Sequence, residues 1–309
     1  MCYSAKMQQK IKEYYRRFQA TPDWNELTVV FTERLENKAI RIPRAFEANF
    51  DHPTTPEEQK IHDLIVEYRK KTATEWEREL FGQKKRLADA QRKLAVKETK
   101  AARNDERVAG TKIEYFTERL ASLKRTEGEP DDTRIFPMHY APIIISEGGA
   151  NKLVLARYHC RQAGKPASID RERDGLYNAR RDNIDRFWRK EFGATHALCV
   201  VTSFFENVER DGKNAVFQFD PQPAQDMLIA CLYSRWVGPG GEKLLSFAAV
   251  TDEPPPEIAA AGHDRVIINI KEENVTAWLN PKGRSDAELQ AILADPQRPY
   301  YEHKVSKAA

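Results

Sequence analysis

The sequence lacks any long apolar run. No uninterrupted hydrophobic stretch approaches the roughly 18 to 20 residues that cross a bilayer, so no membrane partner is expected. Its four cysteines, at positions 2, 160, 199 and 231, show no CxxC or other zinc-like spacing. That excludes a disulfide framework or zinc ribbon, and no metal or cofactor is expected. The opening residues, MCYSAKMQQKIKEYYRRF, have no apolar segment of signal-peptide type, so a reducing cytoplasm and free thiols are expected. An excess of one charge is also missing, because 50 Lys+Arg against 47 Asp+Glu leave only +3. Bulk charge therefore does not announce a nucleic-acid binder, and any such role must come from where the charges are placed. There is no internal repeat or low-complexity tract. What is present, 309 residues with 31% charged and 40% hydrophobic, fits a globular chain with a core large enough to need no staple.

Along the chain, Met7, Ile11, Tyr15 and Phe18 recur at helical spacing and predict a short amphipathic helix that Pro22 ends. TVVF reads as a buried turn or strand, and Pro43 argues for extended chain through IRIPRAFEANF. At Thr55-Pro56-Glu57-Glu58 the pattern is that of a helix start, with Thr55 as N-cap, Pro56 in the first turn and Glu58 placed for a capping box. No proline follows until Pro130. The intervening apolar residues recur at three- and four-residue steps, which predicts a long helix, a reversal near Asn104 to Gly110, and a second, shorter helix. The middle of this hairpin, KKRLADAQRKLAVKETKAAR, is dense in Lys and Arg with only two acids, Asp89 and Glu98. It reads as a solvated face, a phosphate contact or a dock for a protein partner.

Beyond TEGEPDDTR the composition changes to short β-type runs. APIII and LVLARYH predict a hairpin around Glu147-Gly148-Gly149. THALCVVTSFFENV, AVFQFD, DMLIACLYSRW, LSFAAVT and DRVIINI are further strands, SIDRERDGLYNARRDN a polar loop, and NVTAWLN and DAELQAILAD short helices. The fold class is therefore α+β: a mixed, largely antiparallel β core with flanking helices and an inserted long helical hairpin. In domain terms, residues 1–55 and 131–309 form one domain and residues 56–130 the insertion.

Four short pieces carry chemistry: Cys2, Asn178-Ala179-Arg180, Glu206 after Phe204-Phe205, and His263-Asp264-Arg265. In this order they resemble the SOS-response-associated peptidase (SRAP) family, with its second-position Cys, its Asn-Ala-Arg motif, its Glu after two aromatics and its His-x-Arg ahead of a strand. PRAFEANF, APIII, the run from FAAVT to NVTAWLN, and PYYEHKVSKA are similar to further family segments. The sequence departs from the family at Ser4, where an Arg is usual, at Asn207, where a Trp is usual, and at Tyr158 to Gln162.

With Met1 removed, Cys2 offers an α-amine and a thiol on adjacent carbons. Such a pair condenses with an aldehyde to a thiazolidine, which an internal cysteine cannot do because its nitrogen is in a peptide bond. The α-amine ordinarily titrates at about 7.7 to 8 and the thiol at about 8.5. The resemblance implies the ring-opened sugar of an abasic site in single-stranded DNA as the aldehyde. It also implies a role in the DNA damage response, in the cytoplasm, with nucleoid association in a bacterial or phage host. Cys2, Asn178, Glu206 and His263 are then the catalytic set. Glu206 and His263 move protons, Asn178 orients, and Arg180 and Arg265 grip phosphates. Two alternatives remain: an N-terminal-cysteine peptidase or autoprotease that removes Met1, which uses the same residues, and a non-catalytic DNA-binding protein with the hairpin as interaction arm.

Overall fold

The computed structural model describes residues 4–210 and 213–306. The chain opens with β1 (Ser4–Met7), α1 (Ile11–Phe18), β2 (Thr21–Pro22), α2 (Trp24–Arg34) and α3 (Arg44–Glu47). The hairpin follows as α4 (Pro56–Val96) and α5 (Lys100–Lys124). Then come β3 (Arg134–Ile135), β4 (Tyr140–Glu147), β5 (Ala150–Tyr158), α6 (Ile169–Glu172), β6 (Asn178–Arg180), β7 (His196–Arg210) and β8 (Lys213–Gln222). The chain finishes through β9 (Met227–Val237), β10 (Lys243–Asp252), α7 (Pro256–Ala260), β11 (Val266–Ile267), α8 (Val275–Leu279), α9 (Asp286–Ala294) and β12 (Tyr300–Val305). No helix among the described residues is long and apolar enough to cross a membrane.

The strands form one mixed sheet, mostly antiparallel, in which β10, β5, β4, β7 and β9 pair in turn and β9 returns to β10. That closure makes a small barrel. Its strands bury both faces, which explains why IIIS, LVLA and LCVV read as continuous apolar runs rather than alternations. Ile144, Leu153, Leu155, Leu198 and Val250 point outward and pack under helices together with Phe31, Phe46 and Trp278. Their neighbours Ile143, Ile145, Val154, Cys199 and Ala249 pack into a second cluster formed almost entirely by strands. One residue of slip in any of these strands would exchange the two layers, so the register is firmly set.

The β4–β5 hairpin turns where expected, with Glu147 opposite Ala150 and Gly148 and Gly149 both at positive φ. These are the conformations a two-residue turn between twisted strands requires. Thr55 caps α4 by accepting from the Glu58 N–H, while the Glu58 carboxylate returns to Thr54 rather than to Thr55. The box is thus closed one residue early.

Several expectations are corrected. Met7 lies in a strand, not a helix; α1 starts only at Ile11 and buries Tyr14 while Tyr15 stays exposed. TVVF is helical, because Asp23 accepts from the Glu26 N–H and so starts α2 upstream of it. Pro43 introduces the short helix α3 instead of extended chain, since its fixed φ suits a position just ahead of a first turn. The hairpin reverses at residues 97–99, where Thr99 caps α5, and not at Asn104 to Gly110, which lie inside α5. The local cap outweighs the weak helix propensity of Asn104 and Gly110. The supposed polar loop contains α6 and β6, and β6 pairs in parallel with β10.

Candidate functional site

The candidate site is built where β7 leaves the barrel. Through Val201 this strand pairs with β9, and from Phe204 onward it pairs with β8. Phe204 and Val208 face the strand-only cluster, so Glu206, between them in the two-residue period, faces it too. Glu206 is fully buried, and its Oε2 lies 3.2 Å from Nε2 of His263. His263 sits in the loop between α7 and β11, and its Nδ1 lies 2.9 Å from the Arg265 carbonyl and 3.3 Å from the Arg265 N–H.

These contacts allow two proton placements. If Nδ1–H donates to the carbonyl, Nε2 is left to accept a proton from Glu206; if Nδ1 accepts the Arg265 N–H, Nε2–H donates to the Glu206 carboxylate. Moving between them relocates a proton within one buried pair, as acid–base work demands. Burial pushes the His263 pKa down to about 4, so at neutral pH the imidazole is uncharged and able to accept a proton.

Asn178 comes to the same face by a different route. In the β6–β10 ladder it stands opposite Ala249, a member of the strand-only cluster. Its side chain is 6% exposed, and neither amide atom finds a hydrogen-bond partner among the described residues. An unsatisfied buried amide costs on the order of 1–3 kcal/mol, so this amide is suited to hydrogen-bond a bound group. Beside Asn178 and Arg180 lies a cavity of about 250 Å³ with Phe187 and Trp188 in its wall.

The two arginines are gathered by Asp182. Arg180 meets it at 2.7 Å and Arg265 at 3.3 Å. Arg180 is half exposed while Arg265 is largely buried, so one faces solvent and the other is held below it. The structure therefore brings Glu206 to His263, gathers Arg180 and Arg265 on Asp182, and places Asn178 opposite Ala249 of the cluster that Phe204 and Val208 face. Cys2, which completes the expected set, lies outside the described residues. Cys160, Cys199 and Cys231 are all buried, and burial pushes the Cys160 thiol up, as befits inert core thiols.

Two participants were not anticipated. Asp182 could have been noticed as the acid closest behind the Asn-Ala-Arg motif. Arg134 could not, since it comes from β3, far along the chain, and lies over Phe205, which alternates with Glu206 and so faces away from it. Its Nε donates to Ser4 Oγ at 3.0 Å, and its guanidinium lies 3.7 Å from the centre of the Phe205 ring. Lys6, opposite Arg134 in the β1–β3 ladder, approaches the same ring at 5.8 Å. A cation missing from position 4 is thus present beside it.

A larger cavity, about 740 Å³, lies elsewhere, between the far end of β1 and the root of the hairpin. Its wall includes Arg44, whose guanidinium donates to the Ser122 and Arg125 carbonyls and so ties the end of α5 to the core.

Fold and site together define a mixed-barrel protein with a buried acid–base pair and an arginine-lined opening. The sequence profile of the SOS response associated peptidase (SRAP) family matches residues 95–309. The chain belongs to the SRAP family. The match begins inside the hairpin, so β1 lies outside it although it pairs with β7. Among curated relatives, the abasic site processing protein YoqW of Bacillus subtilis is 27% identical over 155 residues, 48% of this chain and 67% of its own. The abasic site processing protein YobE of the same organism is also 27% identical, over 48% of this chain and 68% of its own. A solved protein from Bacteroides thetaiotaomicron has a TM-score of 0.48 at 19% identity, over 56% of this chain and 77% of its own.

Proposed function

We propose that this protein captures abasic sites in single-stranded DNA through a covalent thiazolidine at Cys2 and so shields the lesion. One observation carries the reading: the buried Glu206–His263 pair lies where β1 joins β7 and on the face of the cluster that Asn178 meets from the β6–β10 ladder, opposite Ala249. Ser4 stands opposite Phe205, one residue from Glu206. Cys2 is two residues ahead of Ser4, a span of at most about 7 Å. The relatives named as abasic site processing proteins support an abasic site as the substrate.

The amine of Cys2 adds to the C1′ aldehyde of the open sugar, and loss of water from the carbinolamine gives an imine. The thiol then adds to the imine carbon, forming the S–C bond, and the ring nitrogen takes up a proton; the net change is loss of one water. Glu206 supplies a proton to the departing hydroxyl, and His263 holds and returns the proton to it. Asn178 orients the sugar through its free donor and acceptor. Arg180 and Arg265 bind the flanking phosphates, and Arg134 takes the place of the cation that Ser4 cannot supply.

Incubation with a single-stranded oligonucleotide containing one abasic site, read on a denaturing gel and by intact mass, tests the proposal. An adduct of protein plus oligonucleotide minus one water is expected. Its absence, or peptide turnover in its place, would overturn covalent capture in favour of a peptidase or a non-covalent binder.

A further inference from the structure

The function proposed above makes no use of the hairpin, and the hairpin is where the charge of this protein lies. The hairpin joins the core only at its root: Ile61 and Ile65 of α4 belong to the helix-covered cluster, no later described residue of the hairpin does, and Arg44 holds the end of α5. Lys71 and Glu75 still pair with Glu36 and Lys38 near the end of α2. Beyond Glu75 the two helices pack on each other along a seam that includes Ala90, Ala102 and Ala109. At 1.5 Å per residue, the stretch from Glu75 to Val96 makes an arm about 30 Å long.

Charge is sorted along this arm. Residues 84–112 carry ten Lys or Arg against four acids, a net +6, whereas the hairpin segments 56–83 and 113–124 together come to −2. The whole chain is only +3, so everything outside the distal arm is net acidic. Arg86 pairs with Asp105, and Arg103 with Glu98 and Glu106. Among the described residues, Lys84, Lys85, Lys93, Lys97, Lys100 and Lys112 are exposed and pair with no carboxylate.

We infer that the distal arm is a second nucleic-acid contact and that its partner is the phosphate backbone of duplex DNA. The choice of duplex follows from what the arm carries. Single strands are held in grooves by aromatic side chains that stack on bases, and residues 84–112 contain no Phe, Tyr or Trp. A straight rod bearing only flexible cations instead suits the dense, regular phosphates of a duplex. Its length of about 30 Å is close to one duplex turn.

The test uses the full chain and undamaged DNA, so that it does not depend on covalent capture. Binding to a 30-base-pair duplex and to a single strand of the same length is measured between about 50 and 200 mM salt. The comparison is with a variant carrying Lys84→Gln, Lys85→Gln, Lys93→Gln, Lys97→Gln, Lys100→Gln and Lys112→Gln. Helix content by circular dichroism checks that the arm is intact, and the corresponding six Lys→Arg substitutions restore the charge. Expected are a loss of duplex affinity of at least tenfold at the lowest salt, a salt slope shallower by about 2 or more, and recovery in the Arg variant. Unchanged duplex affinity and slope would overturn the inference, as would a loss confined to the single strand.

Discussion

The barrel site and the hairpin arm are opposite solutions to placing charge. At the site, Glu206 is fully buried and Asn178 and His263 are 6% and 9% exposed; each is fixed by strand register or a short loop. On the arm, the cations are solvent-exposed and held only by a helix pair. A buried group is felt strongly because its surroundings screen little, and it tolerates little displacement. An exposed cation is weak singly and works in number. The contrast suits a reaction centre in one place and a non-specific grip in the other, and it can be broken or sharpened by substitution.

The largest effect is expected at Cys2. Cys2→Ala should reduce adduct formation below detection on a denaturing gel, while native-gel affinity for undamaged DNA stays within about twofold. Persistence of the adduct would remove the thiazolidine from consideration.

Next come the proton carriers. Glu206→Gln and His263→Ala should each slow adduct formation by about 10²- to 10⁴-fold, measured as single-turnover rates with abasic oligonucleotide. The six-lysine variant of the arm should leave the single-turnover rate at saturating DNA unchanged. If the arm variant instead slowed chemistry as much as Glu206→Gln does, the division between the two regions would fail.

Acid should also separate them. Burial lowers His139 and His263 to about 4 and His196 to about 3, against an ordinary value near 6.5. Between these limits the unfolded chain binds more protons than the folded one, so these groups favour folding fully above about pH 6.5. That contribution is lost as pH falls towards 4, and to about 3 for His196. Urea midpoints of the whole protein should therefore drop steadily from pH 7 to pH 4. Residues 76–121 contain no histidine, so amide exchange in the arm, corrected for intrinsic rates, should show no loss of protection of this origin.

The smallest effect is expected at the tip. Thr99→Ala removes the side chain that caps α5 and should cost about 1 kcal/mol locally. Exchange of the first turn of α5 should quicken with no change in the adduct rate.

The sequence by itself determined the features that depend on local rules. The run from Thr55 to Glu58 announced α4, Gly148-Gly149 announced the β4–β5 turn, and four of the five further strand candidates fell on long strands, while DRVIINI forms only the two-residue β11. Asn178, Glu206 and His263 were singled out only through the resemblance to the SRAP family, whereas position 2 is chemically distinct whatever the fold.

Only the tertiary structure decided the rest. Met7 followed the pairing of β1 with β7 rather than its helical spacing, because the hydrogen bonds of a sheet are satisfied by distant partners. Asn178 became a strand residue because β10 offered it a ladder. The meeting of Glu206 with His263, of Arg180 and Arg265 with Asp182, and of Arg134 with Ser4 and Phe205 joins segments that no local spacing relates. Closure of the barrel sets those distances, and closure is a property of all its strands at once.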